Sequence, residues 1–288
     1  MLTKDQEINL FGYKKDVSVL RVSDTLANFS QEIKKINDTK KITYIDRMQL
    51  SDAILDSQIF FNKYFKLHKV PFIGKIIKIG HKDMYHVKMV SPYNLPIKLE
   101  DMGEVSGGYI NKMITANKFH PIAFQDIHLE KNVSELTSCS YCHEITHSQL
   151  EAMRGSIRHF YNVEVLSIFM GLFHAYVLDT DEKILSLQDS RLMNEISALA
   201  ENLQQATPHQ IKINRDNLLE DSKYMSSGLK ALQLFSYFYY ASDVEKYEII
   251  NDIQKVFDGQ ICVENFLEAY GISYKNPDYQ NILKYLKR

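Results

Sequence analysis

The segment Asn132–Gly155 reads NVSELTSCSYCHEITHSQLEAMRG and has signals for both ends of a helix. Asn132 is a good helix N-cap, and Glu135 three residues later makes a variant of the capping box. No proline or glycine follows until Gly155, which supplies a stop signal. The segment therefore predicts a helix of about six turns.

The middle of this predicted helix carries the pattern H-E-x-x-H, as HEITH at residues 143–147. Two imidazoles four residues apart lie on the same helical face, so His143 and His147 can reach one metal ion. Glu144, rotated by about a third of a turn, can meet a metal-bound water and take its proton. The pattern indicates a zinc hydrolase with two histidine ligands and a glutamate general base.

A catalytic zinc site needs a third protein ligand and one open position for water. Glu151 lies about 6 Å beyond His147 along the helix, which is a poor geometry for closing a tetrahedron. Glu164 is better placed, because Gly155 lets the chain turn back and because Tyr161–Phe173 is apolar on nearly every side. A lone carboxylate in such a helix is costly unless it pairs or binds a metal. The alternative is that Glu164 bonds an arginine or a buried tyrosine.

Together, His143 and His147 on one helix and Glu164 on the next resemble the gluzincin group of metallopeptidases. That group includes thermolysin and the thimet oligopeptidase and oligoendopeptidase F type. Thr146 matches the thermolysin-like motif H-E-x-T-H, whereas the oligopeptidases commonly carry glycine at the corresponding position. The resemblance covers about residues 120–180, and this chain is much shorter than those enzymes. It implies a zincin-like metal helix, one zinc ion per chain and a peptide or protein substrate.

The resemblance also implies an oxyanion stabiliser on a late helix, which the oligopeptidase type supplies as tyrosine or histidine. Residues 224–232, YMSSGLKAL, are similar to the tyrosine-bearing helix of those enzymes. Tyr224 is the first candidate and Tyr237 the second. Because the chain contains 18 tyrosines, simple packing is the alternative for both.

Residues 120–129 read HPIAFQDIHL, and the alternation of Ile122 and Phe124 is typical of a short strand. An edge strand leading into the metal helix can bind an extended peptide by main-chain hydrogen bonds. Ala123, Phe124 and Gln125 are therefore the candidate substrate-binding residues.

The pattern elsewhere suggests one further sheet region and otherwise helices. Val70 to Lys98 contains β-branched runs punctuated by glycine and proline, so three or four antiparallel strands are expected in all. The predicted fold class is α+β, predominantly helical, with a small antiparallel sheet beside the metal helix. Residues 1–130 would hold the N-terminal helices and the sheet. Residues 131–288 would hold the metal site and the C-terminal helices, the whole forming one compact catalytic unit.

A second motif overlaps the first, because CSYCH at residues 139–143 fits the attachment signal for c-type haem. Haem attachment belongs to exported chains, whereas residues 1–9 are polar and carry no apolar signal segment. Cys139 could instead join a structural metal cluster, and Cys142 is more simply a small buried apolar residue. Three cysteines are too few for a disulfide framework. A reduced, cytoplasmic protein is expected.

The net charge of −2 does not indicate the excess of positive charge that is typical of nucleic-acid-binding proteins. No window reaches the roughly 18 apolar residues that argue for a membrane span. Oligomeric state is not indicated.

A competing functional class is a non-catalytic zinc-binding or degenerate-peptidase protein whose helical C-terminal half presents a partner surface. Glu144 argues against it, because a purely structural site has no need of that residue; a fourth protein ligand such as Cys139 would favour it.

Overall fold

The computed structural model describes twelve stretches of the chain, with side chains placed only in helices and in the turns next to them. The described residues are 24–39, 50–67, 70–79, 82–90, 98–99, 108–114, 124–130, 136–152, 160–178, 182–205, 215–272 and 278–288. No helix in these stretches combines the length and the apolar character needed to cross a membrane.

The chain divides into two compact units that alternate along the sequence. The first unit consists of Met1–Ile42, Asp189–Ala241 and Leu267–Arg288. The second consists of Thr43–Gln188 and Ser242–Phe266. The sequence predicts a boundary between the regions 1–130 and 131–288. That boundary falls inside the second unit and stays a prediction.

Helices make up the described part of the first unit. They are α1 (Asp24–Thr39), most of α5 (Lys183–Gln205), α6 (Arg215–Tyr240) and α9 (Tyr279–Leu286). Phe29 of α1 packs on Tyr279 of α9 with ring centroids 4.6 Å apart. The buried carboxylate of Asp189 accepts a hydrogen bond from the Tyr285 hydroxyl at 2.9 Å. Aromatic packing and a buried hydroxyl–carboxylate bond thus join its helices.

In the second unit the helices are α2 (Leu50–Tyr64), α3 (Leu136–Ala152), α4 (Phe160–Leu178) and α7 (Asp243–Phe257). A short helix α8 (Val263–Ala269) runs across the boundary at residue 266. Phe60 of α2 meets Phe173 of α4 edge-on at 4.9 Å, and Phe65, just after α2, contacts Phe257 of α7 at 5.3 Å. The buried Ser57 hydroxyl donates to the Ser138 carbonyl of α3 at 3.1 Å. Helix α2 therefore contacts α3 and α4, and Phe65 beside it contacts α7.

The predicted fold class, α+β with a small sheet beside the metal helix, is wrong for the part of the chain with described side chains. There, 88% of the residues are helical and none belongs to a strand. The physical reason is that aromatic side chains such as Phe60, Phe65, Phe173 and Phe257 already fill the space between the helices. The residues of the second unit whose side chains are described are therefore helical around the candidate site, whereas its strands are described by backbone alone.

Strands occur where only the backbone is described, within residues 70–130. They are β1 (Val70–Ile79), β2 (Lys82–Val90), β3 (Lys98–Leu99), β4 (Gly108–Ile114) and β5 (Phe124–Glu130). Neighbouring strands pair antiparallel in the order β1-β2-β5-β4-β3. Five strands thus pair through the main chain, more than the three or four expected, and strand order could not be read from the sequence.

Candidate metal centre

Helices α3 and α4 bring three side chains with metal-ligating atoms together. The Nε2 atoms of His143 and His147 lie 3.0 Å apart. Glu164 Oε1 lies 3.2 Å from His143 Nε2, and Glu164 Oε2 lies 3.0 Å from His147 Nε2. All three ligand atoms fall within 4.8 Å of one another, so this group could hold a metal ion. Within the described stretches it is the one such group of histidine, cysteine and acidic residues.

The two histidines meet because of helix geometry. One turn of α3 separates them, and their rings lie 4.7 Å apart at an interplanar angle of 67°. Between them, Thr146 is fully buried, and its hydroxyl donates to the Cys142 carbonyl one turn earlier at 2.8 Å. That bond satisfies the polar group inside the helix and keeps it away from the cluster.

Glu164 supplies a buried negative charge to the cluster. Its side chain is only 4% exposed, and burial by itself raises a carboxyl pKa. Here the nearby His143 and His147 together outweigh burial and hold the pKa of Glu164 well below its usual range. Glu164 is therefore a carboxylate across the physiological pH range.

One carboxylate oxygen of Glu164 has an ion-pair contact but no well-aligned hydrogen bond. Oε2 lies 3.0 Å from His147 Nε2, and no donor among the described residues makes a hydrogen bond of good geometry to it. A buried, unsatisfied carboxylate oxygen costs free energy. Two imidazole nitrogens and two carboxylate oxygens face one region, and a cation there would satisfy them together. The residues present therefore fit a bound metal ion.

The side chains in and beside the cluster differ in how far they are exposed to solvent. The His143 side chain is 23% exposed, whereas that of His147 is 8% exposed. Glu144, adjacent to His143 in the chain, is largely buried at 9% exposure. His143 is therefore the most exposed of the three ligand residues, whereas His147 and Glu164 are buried.

The two cysteines of α3 stay outside the ligand group. Cys139 and Cys142 are free thiols with no exposed surface, so Cys142 packs as the small buried residue that was predicted. Burial raises the pKa of the Cys142 thiol well above its ordinary value, and a protonated thiol is a poor metal ligand. Cys139 is not part of the group of possible ligands.

The candidate tyrosines and the three ligand residues belong to different units of the chain. Tyr224 and Tyr237 lie on α6 in the first unit, whereas the three ligand residues belong to the second unit. The Tyr237 side chain is 52% exposed, and Tyr224 is partly buried. Their role as oxyanion stabilisers stays a prediction.

The predicted peptide-binding strand is not a free edge. Strand β5 pairs with β2 on one side and with β4 on the other. Gln125 has a pairing partner on each side, and Phe124 pairs with Val90. Ala123 lies outside the described residues. The edge-strand interpretation is therefore wrong, because neighbouring strands already use the main-chain groups of β5. A substrate-binding role for Ala123, Phe124 and Gln125 stays a prediction that would have to act through side chains.

Gly171 of α4, near the candidate metal centre, is not among the site residues predicted from the sequence. A Cβ atom at this position would lie 3.2 Å from the carbonyl oxygen of Cys139 on α3. The available signal was a lone glycine inside a long apolar helix, which often marks a close approach of two backbones.

No family model, curated protein or solved structure matches this chain. The gluzincin resemblance thus rests on the H-E-x-x-H pattern and Glu164, and the functional argument rests on the geometry of the metal centre.

Proposed function

We propose that this chain is a zinc-dependent peptide-bond hydrolase. The observation that carries the proposal is the convergence of His143, His147 and Glu164, with Glu144 next to a ligand on the same helix. Three protein ligands leave an open coordination position, which is the arrangement of catalytic zinc sites. Glu144 is not a member of the ligand group, and we assign it the role of general base.

The donor set and its spacing favour zinc. Two imidazole nitrogens and one carboxylate are ligands of catalytic zinc sites. Zinc–ligand distances of about 2.0–2.1 Å in a tetrahedron place neighbouring ligand atoms about 3.3 Å apart. The two histidine Nε2 atoms lie 3.0 Å apart, and each lies 3.0 to 3.2 Å from a different oxygen of Glu164. These separations are close to that value.

The chain's own residues then have separate tasks. When bound, zinc supplies the electrophile that polarises a carbonyl and acidifies water. His143 and His147 bind as neutral imidazoles, and the Glu164 carboxylate offsets part of the positive charge. Glu144 takes a proton from the attacking water and passes it to the leaving nitrogen.

The first test is zinc content, measured by elemental analysis of tag-free wild type and of Glu164→Ala. We expect close to one zinc per chain in the wild type and a clear loss in the variant. Glu164→Gln, which keeps the side-chain volume, serves if the alanine variant does not fold. A wild type that holds no zinc even after reconstitution contradicts the proposal.

The second part of the test is a cleavage screen of the zinc-loaded wild type against a peptide library. We expect cleavage that a chelator abolishes and added zinc restores. Zinc bound at full occupancy without cleavage of any peptide would instead support the non-catalytic alternative, a zinc-binding interaction protein.

A further inference from the structure

Gly171 sits on the face of α4 that carries the ligand Glu164. The two residues are seven positions apart, about two helical turns, so they share one side of the helix. An ideal Cβ at Gly171 would lie 3.2 Å from the Cys139 carbonyl oxygen and 3.5 Å from Gln188 Nε2. The first distance is tighter than ordinary van der Waals contact, and the atom it meets belongs to the backbone of α3.

Cys139 in turn stands one turn before His143 on α3. The contact between Gly171 and the Cys139 carbonyl therefore lies one turn from the histidine pair along α3 and two turns from Glu164 along α4. A side chain at position 171 would have to push this carbonyl away, and a helical carbonyl cannot rotate aside as a side chain can. The missing Cβ lets the two ligand-bearing helices approach closely beside the centre.

We propose that Gly171 is a positioning residue that sets the α3–α4 separation and so the distance between Glu164 and the two histidines. The inference rests on the metal centre of the proposed function. Acceptable metal–ligand distances vary by only about 0.2 Å. A displacement of a few tenths of an ångström at position 171 is thus large enough to weaken binding, although Gly171 touches no metal ligand.

Gly228 provides a matched control in the first unit, which carries none of the three ligands. A Cβ there would meet Ile196 Cγ1 and Cδ1 at 3.2 Å and Leu192 Cδ1 at 3.3 Å. The distances match those at Gly171, but the atoms belong to flexible side chains. Both glycines lie inside helices, so alanine brings the same gain in helix propensity, about 1 kcal/mol, at each.

The experiment compares wild type, Gly171→Ala and Gly228→Ala by three measurements. Zinc affinity is obtained by competition with a chelator of known affinity. The absorption spectrum of the cobalt-substituted proteins reports coordination geometry. Thermal unfolding of the metal-free proteins reports stability alone.

We expect Gly171→Ala to weaken zinc binding by about tenfold to a hundredfold, the range found when groups that orient metal ligands are changed. Its cobalt spectrum should differ from that of the wild type. Gly228→Ala should bind zinc within about twofold of the wild type, since side-chain rearrangement absorbs its Cβ.

Two results overturn the inference while leaving the proposed function intact. One is a Gly171→Ala protein with wild-type zinc affinity and cobalt spectrum. The other is a Gly171→Ala chain that fails to fold with and without zinc, because the contact then serves the fold and not the centre. A wild type that binds neither zinc nor cobalt overturns both the inference and the proposed function.

Discussion

Glu144 is the residue on which the distinction between a catalytic and a structural metal centre depends. It is adjacent to His143 on α3 and largely buried, yet it does not belong to the three-residue ligand group. Replacing its carboxylate with an amide removes the base and preserves the shape. The two roles of the helix, holding a metal and moving a proton, can therefore be separated by one substitution.

Glu144→Gln should retain zinc and lose peptide cleavage by a factor of about 10² to 10⁴, the usual contribution of a general base. The measurements are zinc content and initial cleavage rate on a peptide found in the screen. Glu248→Gln makes the same change at an exposed position of α7 and should leave both unchanged. A Glu144→Gln enzyme as fast as the wild type would refute the mechanism.

At the scale of one element, α7 shows how a helix in the second unit is fixed at its start. Ser242 is the N-cap, and its hydroxyl accepts a hydrogen bond from the Glu245 backbone N–H at 3.4 Å. Glu245 Oε2 accepts from the Ser242 backbone N–H at 2.7 Å, and this bond lowers the pKa of Glu245. The helix buries four apolar residues, Ile249, Ile253, Val256 and Phe257. Its cap therefore secures part of the apolar core.

Ser242→Ala should lower the free energy of unfolding by about 1 kcal/mol, because the Glu245 backbone N–H loses its acceptor while the bond from the Ser242 backbone N–H to Glu245 can remain. Denaturant unfolding of the metal-free protein measures the change. Ser242→Asp keeps an acceptor at the N-cap and should cost little. Zinc affinity should be the same in all three proteins; a loss of zinc in Ser242→Ala would mean that the capped helix also supports the centre.

For the whole molecule, a buried histidine outside the metal centre makes stability depend on acidity. His174 of α4 has no exposed surface, and its ring packs edge-on against Phe60 at 5.0 Å. Burial lowers the pKa of His174 to about 4 from 6.5, against a smaller opposing effect of the Asp56 backbone. Between these two values the unfolded chain binds a proton that the folded chain does not. Stability contributed by the neutral ring is therefore present above about pH 6.5 and is lost as pH falls towards 4.

We expect the metal-free wild type to lose about 2 to 3 kcal/mol more stability than His174→Leu when the pH drops from 7 to 4.5. The measurement is the free energy of unfolding by denaturant at both values. The two proteins share every other titrating group, so the difference isolates His174. Equal losses in the two proteins would show that the ring at position 174 is not held neutral.

The metal group was accessible from the sequence because its parts follow local rules. A spacing of four positions places His143 and His147 on one helical face. The sequence signals at Asn132 and Gly155 lie on either side of the helix that carries them, which is observed as Leu136–Ala152. Glu164 stood out because a single carboxylate in an apolar helix needs a partner. The three residues do lie together, whereas their use as zinc ligands stays a prediction.

What could not be read from the sequence depends on residues far apart in the chain. The placement of β5 between β2 and β4 is a matter of strand order, which short apolar runs do not encode. The closeness of Gly171 to the Cys139 carbonyl is a tertiary contact between two helices. The packing of α2 against α4, and of Phe65 beside α2 against α7, is likewise a set of contacts between residues far apart in the chain.

The alternation of the two units along the chain has a consequence for biosynthesis. All three candidate metal ligands leave the ribosome before Ser242–Phe266, the segment that completes their unit. That segment includes Phe257, against which Phe65 packs, and Gln254, which accepts a hydrogen bond from the Lys66 backbone. A nascent chain that has just exposed Glu164 thus has its metal-binding groups but not its finished core. No single cut in the polypeptide yields either unit whole, so the second unit lacks part of itself until residue 266 has been made.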